Sequence, residues 1–300
     1  MKNILVATDF SENCFNALKY SLQLFQEYRC TFYILHVNPV PSYTSAESNS
    51  NIITSETSAN NGALEDSRLQ LRSLVKRIEE MFPNSKHTYI PIAIHDYFVD
   101  AIKREVYNRK IDLIVMGCKG TTGLKEVAIG ANTCDVITKV KCNLLAVPEK
   151  ATYRKLKEIA FSTDYHLGYD VNVLENILGI AQINNSALRI VNFSRNKEPL
   201  SEGQLNNKEF LKDYFKDIEH EFYYLTGSKL ETAIESFVGN NGIDMIAMVA
   251  KNLNFLQRIL FKPAVDEISY HSKIPFLVLH EKFSSNTQWP KLSRSSQYAD

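Results

Sequence analysis

Residues 111–133 read IDLIVMGCKGTTGLKEVAIGANT: an apolar run, a glycine-punctuated segment, and a helix start. Ile111 to Met116 is short, apolar and β-branched, which suits a buried parallel strand. Gly117, Gly120 and Gly130 follow, separated by two residues and then by nine. Glycines at the carboxyl end of such a strand let the backbone approach a ligand closely and offer N–H groups to phosphate. Working outward from this stretch, the question is whether the chain supplies the rest of a nucleotide site, and whether it does so once or twice.

The chain has 300 residues, 44% of them hydrophobic, enough for two domains of ordinary size. Its 34 basic and 34 acidic residues cancel, so the overall balance points to neither nucleic acid nor a membrane surface. The amino-terminal apolar run stops at Thr8 and Asp9, too short for a signal-peptide core, and a cytoplasmic location is expected. Five cysteines with no CxxC pair argue against a disulfide framework and against a zinc site. Cys118 falls in the glycine segment, where a plain small residue is expected ahead of a redox sensor.

From the start, Asn3 to Thr8 reads as a buried strand and Ser11 as the cap of a helix that buries Phe15, Leu18, Leu22 and Phe25. A second strand, Thr31 to Val37, ends before Pro39. From Ser42 to Asn61, 13 of 20 residues are Ser, Thr or Asn, which predicts a mobile loop. A helix with Leu71, Leu74, Val75, Ile78 and Phe82 on one face follows. Then come a strand at Tyr89 to Ile94, a helix from Asp96, the opening stretch, a helix from Ala131, and a last strand at Asn143 to Val147. Strands alternating with helices predict a parallel sheet covered on both faces.

The pattern then restarts. Ile159 to Asp164 (IAFSTD) matches Leu5 to Asp9 in kind, and Val171, Leu174, Leu178 and Ala181 repeat the first helix face at a shift of 156. Leu211, Tyr214, Phe215, Ile218 and Phe222 are read as the second helix face at a shift of 140, and IDMIAM repeats IDLIVM at 132. This predicts two copies of one domain, 1–150 and 151–281, with a flexible tail at 282–300 that carries Trp289.

Ligands of open parallel sheets sit beyond the carboxyl ends of the strands, where the strand order switches. Thr8 and Asp9, then His36 and Val37, then the glycine segment should meet there. His36 reads as a strand-end packing residue. No P-loop, GxSxG or HExxH motif competes, because Gly123 is followed by Leu124, Lys125 and Glu126. The second half loses the glycines. At a shift of 132, Gly117 becomes Val249, Gly120 becomes Asn252, Gly130 becomes Lys262 and Ala131 becomes Pro263. That comparison serves as an internal control: the strand persists without glycines after it, so strand packing by itself is not expected to demand them. Phe255, Leu256, Leu260 and Phe261 in the altered segment are expected to pack on their own sheet.

The combination ILVATDFSE, HV after the second strand, and MGCKGTTGLKEVAIGANT before an AVP strand resembles the universal stress protein family, tandem two-domain type, over residues 1 to about 280. The resemblance implies two tandem repeats of an open, five-stranded parallel sheet with helices on both faces. This is a Rossmann-like α/β fold of the adenine nucleotide alpha hydrolase kind. It also implies ATP, with Mg, as the cofactor of the first domain. Thr8 and Asp9 would face the nucleotide and Val37 the adenine. Met116, Gly117 and Gly120 would meet the ribose and α-phosphate, and Gly130, Ala131, Asn132 and Thr133 the outer phosphates. Lys119 is a further phosphate candidate. The family's ATP-binding branch places Ser or Thr after the third glycine, where this chain has Ala131; Asn132 or Thr133 are candidate replacements. The resemblance further implies pairing of the two domains through Asn143 to Val147 and Pro275 to Leu279, and leaves a homodimer open.

The expected role is a stress-response sensor or switch that binds ATP once per chain, and not an enzyme. A slow ATPase or self-phosphorylating protein is one rival, although no residue stands out as a general base and no arginine is placed to stabilise phosphoryl transfer. A non-nucleotide interaction module is the other.

Overall fold

A computed structural model describes residues 2–40, 52–118, 131–166, 171–194, 199–227, 230–250 and 273–281. The chain divides into two compact units, Met1–Arg154 with Asn252–Val278, and Lys155–Lys251 with Leu279–Asp300.

Unit 1 runs β1 (Lys2–Ala7), α1 (Glu12–Leu24), β2 (Cys30–Asn38), α2 (Ile52–Met81), β3 (His87–His95), α3 (Phe98–Arg109), β4 (Leu113–Cys118), α4 (Ala131–Lys139) and β5 (Leu144–Pro148). Its parallel strands lie in the order β3-β2-β1-β4-β5. Ile4, Leu5 and Val6 of the central β1 are completely buried, as befits a strand covered on both faces. Right-handed crossovers put α1 and α2 on one face and α3 and α4 on the other, because the order reverses at β1. A sixth strand, β10 (Phe276–Leu279), adds to this unit antiparallel to β5, with Phe276 opposite Ala146 and Val278 opposite Leu144. It covers the edge of β5 that would otherwise present unpaired backbone groups.

Unit 2 runs β6 (Glu158–Ser162), α5 (Val171–Asn184), β7 (Ala187–Ser194), α6 (Glu202–Tyr214), β8 (His220–Thr226), α7 (Leu230–Asn241) and β9 (Met245–Val249), with its parallel strands in the order β9-β6-β7-β8. The fold class of the chain is therefore α/β, as its alternating pattern predicts.

Local geometry recurs between the units. Asp112 Oδ2 accepts from the Asn3 N–H at 2.9 Å, and Asp244 Oδ2 from the Glu158 N–H at 3.1 Å. The Ile111 N–H bonds the Val106 carbonyl and the Ile243 N–H the Val238 carbonyl, each at the helix-to-strand turn. In that turn Lys110 has φ +50° and Gly242 has φ +59°. A left-handed residue after a helix favours glycine, since a Cβ crowds the following carbonyl. We therefore expect Lys110→Gly to stabilise unit 1 by about 0.5–1 kcal/mol, read as a higher urea midpoint.

Several expectations need correction. Of the segment expected to be a mobile loop, residues 42–51 lie outside the described residues, whereas Ile52 to Asn61 belong to α2 and are not loop. Once a helix is nucleated by a buried face, here Leu71 and Ile78, propagation is cheap even through Ser and Thr. The second helix face repeats at 133 and not 140: the Phe82 N–H bonds the Ile78 carbonyl, and the Phe215 N–H bonds the Leu211 carbonyl. A seven-residue slip maps a helical apolar stripe nearly onto itself, which hides the error in the sequence. Consequently Phe222 belongs to β8. Val171 is half exposed at the first position of α5, and Val173, Leu174, Ile177 and Ala181 form the buried face. The altered segment with Phe255, Leu256, Leu260 and Phe261, and the tail with Trp289, lie outside the described residues.

Candidate functional site

Three strand ends of unit 1 converge where the strand order reverses. Val6 of β1 is opposite Ile34 of β2 on one side and Val115 of β4 on the other. Two residues further along, Thr8, His36 and Gly117 therefore reach the same edge of the sheet, with Asp9 and Val37 just beyond.

The turn after β1 is built by its own side chains. Thr8 Oγ1 accepts from the Phe10 N–H at 3.0 Å, and Asp9 Oδ1 accepts from the Ser11 N–H at 3.0 Å. These bonds hold Phe10 at φ +64°, an unusual conformation for a large side chain. Ser11 then caps α1, accepting from the Cys14 N–H at 3.3 Å. Burial pushes the Asp9 carboxyl up, but hydrogen bonds from Ser11 and Cys14 outweigh it and leave Asp9 below the ordinary carboxylate value. Asp9 is exposed, so it presents a charged acceptor at this edge.

His36 holds the turn from the neighbouring strand. Its Nδ1 lies 2.8 Å from the Thr8 carbonyl oxygen. A carbonyl can only accept, so Nδ1 carries the hydrogen. Asn192 occupies the matching place in unit 2 and donates from Nδ2 to the Thr163 carbonyl at 3.0 Å. An imidazole replaced by an amide with the same bond identifies His36 as a support for the turn, as its strand-end position suggests.

The opening stretch looks different in three dimensions. Gly117 and Cys118 belong to β4, paired with Val147 and Pro148 of β5, and not to a loop. The ladder with β5 extends the strand two residues past the apolar run, a non-local effect that periodicity does not contain. A Cβ built on Gly117 would lie 2.9 Å from the backbone oxygen of Asn13 in α1. Strand-on-helix packing thus does require glycine here, against the expectation drawn from the second half. Met116 is 5% exposed and points into the core, so only its backbone can serve a ligand. Cys118 is buried and its thiol is pushed up to about 12, first by burial and then by Cys134; a thiol so protonated is a poor redox sensor.

Of the remaining candidates, Lys119, Gly120 and Gly130 lie outside the described residues. Ala131 opens α4, and it and Asn132 are exposed. Thr133 is buried with Val136 and Ile137 on the inner face of α4, so of the two candidate replacements Asn132 is the exposed one. Val37 is half-buried and sits opposite Ile94 of β3. Sequence reasoning missed Asn13, a buried α1 residue against Gly117 whose Oδ1 has no hydrogen-bond partner among the described residues.

In unit 2 the equivalent turn is bridged by α6. Thr163 and Asp164 build the identical turn, accepting from the Tyr165 and His166 N–H groups at 3.0 Å each. There α6 reaches across it: Gln204 Nε2 donates to the Asp164 carbonyl at 2.9 Å and Asn207 Nδ2 to the Tyr165 carbonyl at 2.7 Å. Tyr165 is 2% exposed, whereas Phe10 is only partly covered.

A parallel sheet whose order reverses at β1, with a charged turn and a helix start at the reversal, defines an open, Rossmann-like α/β class. Residues 1–148 match the model of the universal stress protein family. A universal stress protein of Methanocaldococcus jannaschii is 26% identical over 148 residues, spanning 49% of this chain and 81% of that protein. In three dimensions the chain is similar to a universal stress protein from Archaeoglobus fulgidus DSM 4304, with a TM-score of 0.64 and 16% identity over 93% of this chain and 98% of that one. A functionally unknown protein from Pseudomonas aeruginosa PAO1 aligns over 93% of this chain and 92% of its own, with a TM-score of 0.53 and 12% identity. At these identities the two structures speak to the fold alone. Among the described residues, no helix is long and apolar enough to cross a membrane.

Proposed function

We propose that this chain is a tandem universal stress protein that binds ATP once, in unit 1, as a cytoplasmic stress-response sensor or switch. The observation that carries the reading is the contrast at the reversal point. In unit 1 Asp9 and the start of α4 are exposed and, among the described residues, no α2 side chain bonds the Thr8–Asp9 turn, while in unit 2 Gln204 and Asn207 bond the equivalent turn. The residues present fit an adenine nucleotide. Asp9 offers a charged acceptor for a ribose hydroxyl or an amino group, and the backbone near Val37 can meet a base edge. The α4 N–H groups with Asn132 suit phosphate, and magnesium would accompany the phosphates. Gly117 drops out of this support, because its packing against Asn13 explains it.

In this reading the chain is not an enzyme, and the two domains associate within the chain. A homodimer remains part of the proposal to be measured by sedimentation. Mass spectrometry of nucleotide released from freshly purified protein, followed by ATP titration of wild type and Gly130→Val, tests the binding. No released nucleotide and no titration signal sinks it and leaves an interaction module; phosphate release above buffer background would make the chain an ATPase.

Ala131 allows a gain-of-function test. It is exposed at the first position of α4, so a hydroxyl can be added without crowding. We expect Ala131→Ser to tighten ATP binding roughly three- to tenfold, the worth of one hydrogen bond of about 0.5–1.5 kcal/mol. Unchanged affinity would place the phosphates away from this helix.

A further inference from the structure

Between α1 and α2 of unit 1 lies a cleft of about 220 Å³, with Ser11 and Phe15 on one wall and Gln70, Ser73, Leu74 and Arg77 on the other. Thr8 and Phe10 line it from the β1–α1 turn, so the cleft adjoins the candidate nucleotide site and shares Thr8 with it. The four α2 residues recur at the spacing of one helical stripe, so a single face of α2 looks onto α1.

Arg77 gives the cleft its chemistry. Its guanidinium carbon lies 3.8 Å from the centre of the Phe15 ring, which holds the group at the cleft. Its ionic partner Glu12 stands 3.6 Å away and is 82% exposed. Among the described residues the guanidinium makes no hydrogen bond, so its fork of donors is unspent. An arginine held on an aromatic ring with unused N–H groups matches a carboxylate, which it can grip through two parallel bonds. The positive end of α1, beginning beside Ser11, adds to the preference for an anion. Glu12 limits that charge: with one cation and one carboxylate at the mouth, a monoanion is favoured over a dianionic phosphate ester. Phe10, Phe15 and Leu74 supply apolar surface for the rest of the ligand. Cavities of about 150 Å³ hold a benzene ring, so this one has room for a single ring and a short carboxylate arm.

Unit 2 does not repeat the residues that line this cleft. At the shift of 133, Gln70, Ser73, Leu74 and Arg77 correspond to Gly203, Asn206, Asn207 and Phe210. The cation is gone, and Asn207 is bonded to the turn that Leu74 leaves alone. We propose that the α1–α2 cleft of unit 1 binds a small aromatic monocarboxylate, with its carboxylate on Arg77 and its ring against Phe10 and Leu74.

The test titrates the full chain with phenylacetate, phenylacetamide and phenyl phosphate, followed by calorimetry and by methyl NMR of Leu74. Phenylacetate is expected to bind and to shift Leu74, with phenylacetamide at least tenfold weaker and phenyl phosphate no tighter. Arg77→Gln should weaken phenylacetate at least tenfold, and Arg77→Lys, which keeps the charge but loses the fork, should fall between. Arg77 is half exposed, so these variants should fold, and circular dichroism checks that they do. No binding of phenylacetate, equal affinity for the amide, or indifference to Arg77→Gln each overturns the proposal. ATP distinguishes this site from the nucleotide site: ATP affinity should be the same in wild type and Arg77→Gln. If ATP displaces phenylacetate and Arg77→Gln weakens both alike, the cleft is part of the nucleotide site and the proposal falls.

Discussion

Replacing Gly117 with valine is expected to destabilise unit 1 by about 2–3 kcal/mol, the cost of forcing extra atoms into a well-packed contact. The new Cβ would meet the Asn13 carbonyl oxygen at 2.9 Å, its carbonyl carbon at 3.1 Å and its Cγ at 3.1 Å. Two of these are backbone atoms in the first turn of α1 and cannot swing aside as a side-chain tip would. Nor can the strand retreat, because Gly117 is paired with Val147 in the middle of the sheet. The first turn of α1 must lift, and with it the capping bond from the Cys14 N–H to Ser11. Hydrogen exchange should therefore show lost protection at both α1 and the end of β4. Gly117→Ala should cost less, and adding Asn13→Ala should recover part of the loss by removing the Cγ contact. If Gly117→Val keeps the wild-type urea midpoint, packing does not explain the glycine and close approach of a ligand regains its claim.

This residue also shows what the amino-acid sequence can and cannot convey. The strand, the helix after it and their order are legible because apolar period and turn residues are local properties of the chain. Thus β1, β2, β4 and β5 fall within a residue or two of their expected ends. That Gly117 and Cys118 extend β4 depends on β5, some thirty residues later, and that Gly117 must be glycine depends on Asn13, a hundred residues earlier. Comparing the halves misled on this point because Val249 matches Gly117 in register and nothing in the sequence tells how closely the covering helix approaches. The 140-residue shift failed for a different reason: an amphipathic stripe has nearly the same appearance after seven residues, and only the hydrogen bonds at Phe82 and Phe215 fix the alignment. The candidate site was legible as a meeting of strand ends. The roles within it were not, since Thr8 and Asp9 spend part of their hydrogen-bonding capacity on their own turn and His36 serves Thr8.

Asp112 and Asp244 were in view from the start, as the second letters of IDLIVM and IDMIAM, yet their task is visible only in three dimensions. Asp244 is 8% exposed, and its Oδ2 accepts from the backbone N–H groups of Lys157 at 2.7 Å and Glu158 at 3.1 Å, where β6 enters the sheet. The Asp244 N–H in turn donates to the Glu158 carbonyl at 2.8 Å, closing a ring that fixes β9 against β6. A carboxylate receiving two backbone donors is worth more than a neutral acceptor, at about 1.5–3 kcal/mol for each charged bond. Asp244→Ala removes both bonds and leaves two donors at a strand start, though water can reach part of that end. We therefore expect a loss of about 2–4 kcal/mol. Asp244→Asn retains one acceptor oxygen and should lose about half as much. Urea denaturation measures the size of the effect and hydrogen exchange its place, with lost protection concentrated in β6 and β9. Should Asp244→Ala leave those strands protected, the anchor is dispensable, and the match with Asp112 and Asn3 would reflect repeat ancestry without a present energetic role. Should Asn restore nothing, the requirement is for charge and not for an acceptor, which would shift the explanation from the two N–H groups to the positive field of the residues leading into β6.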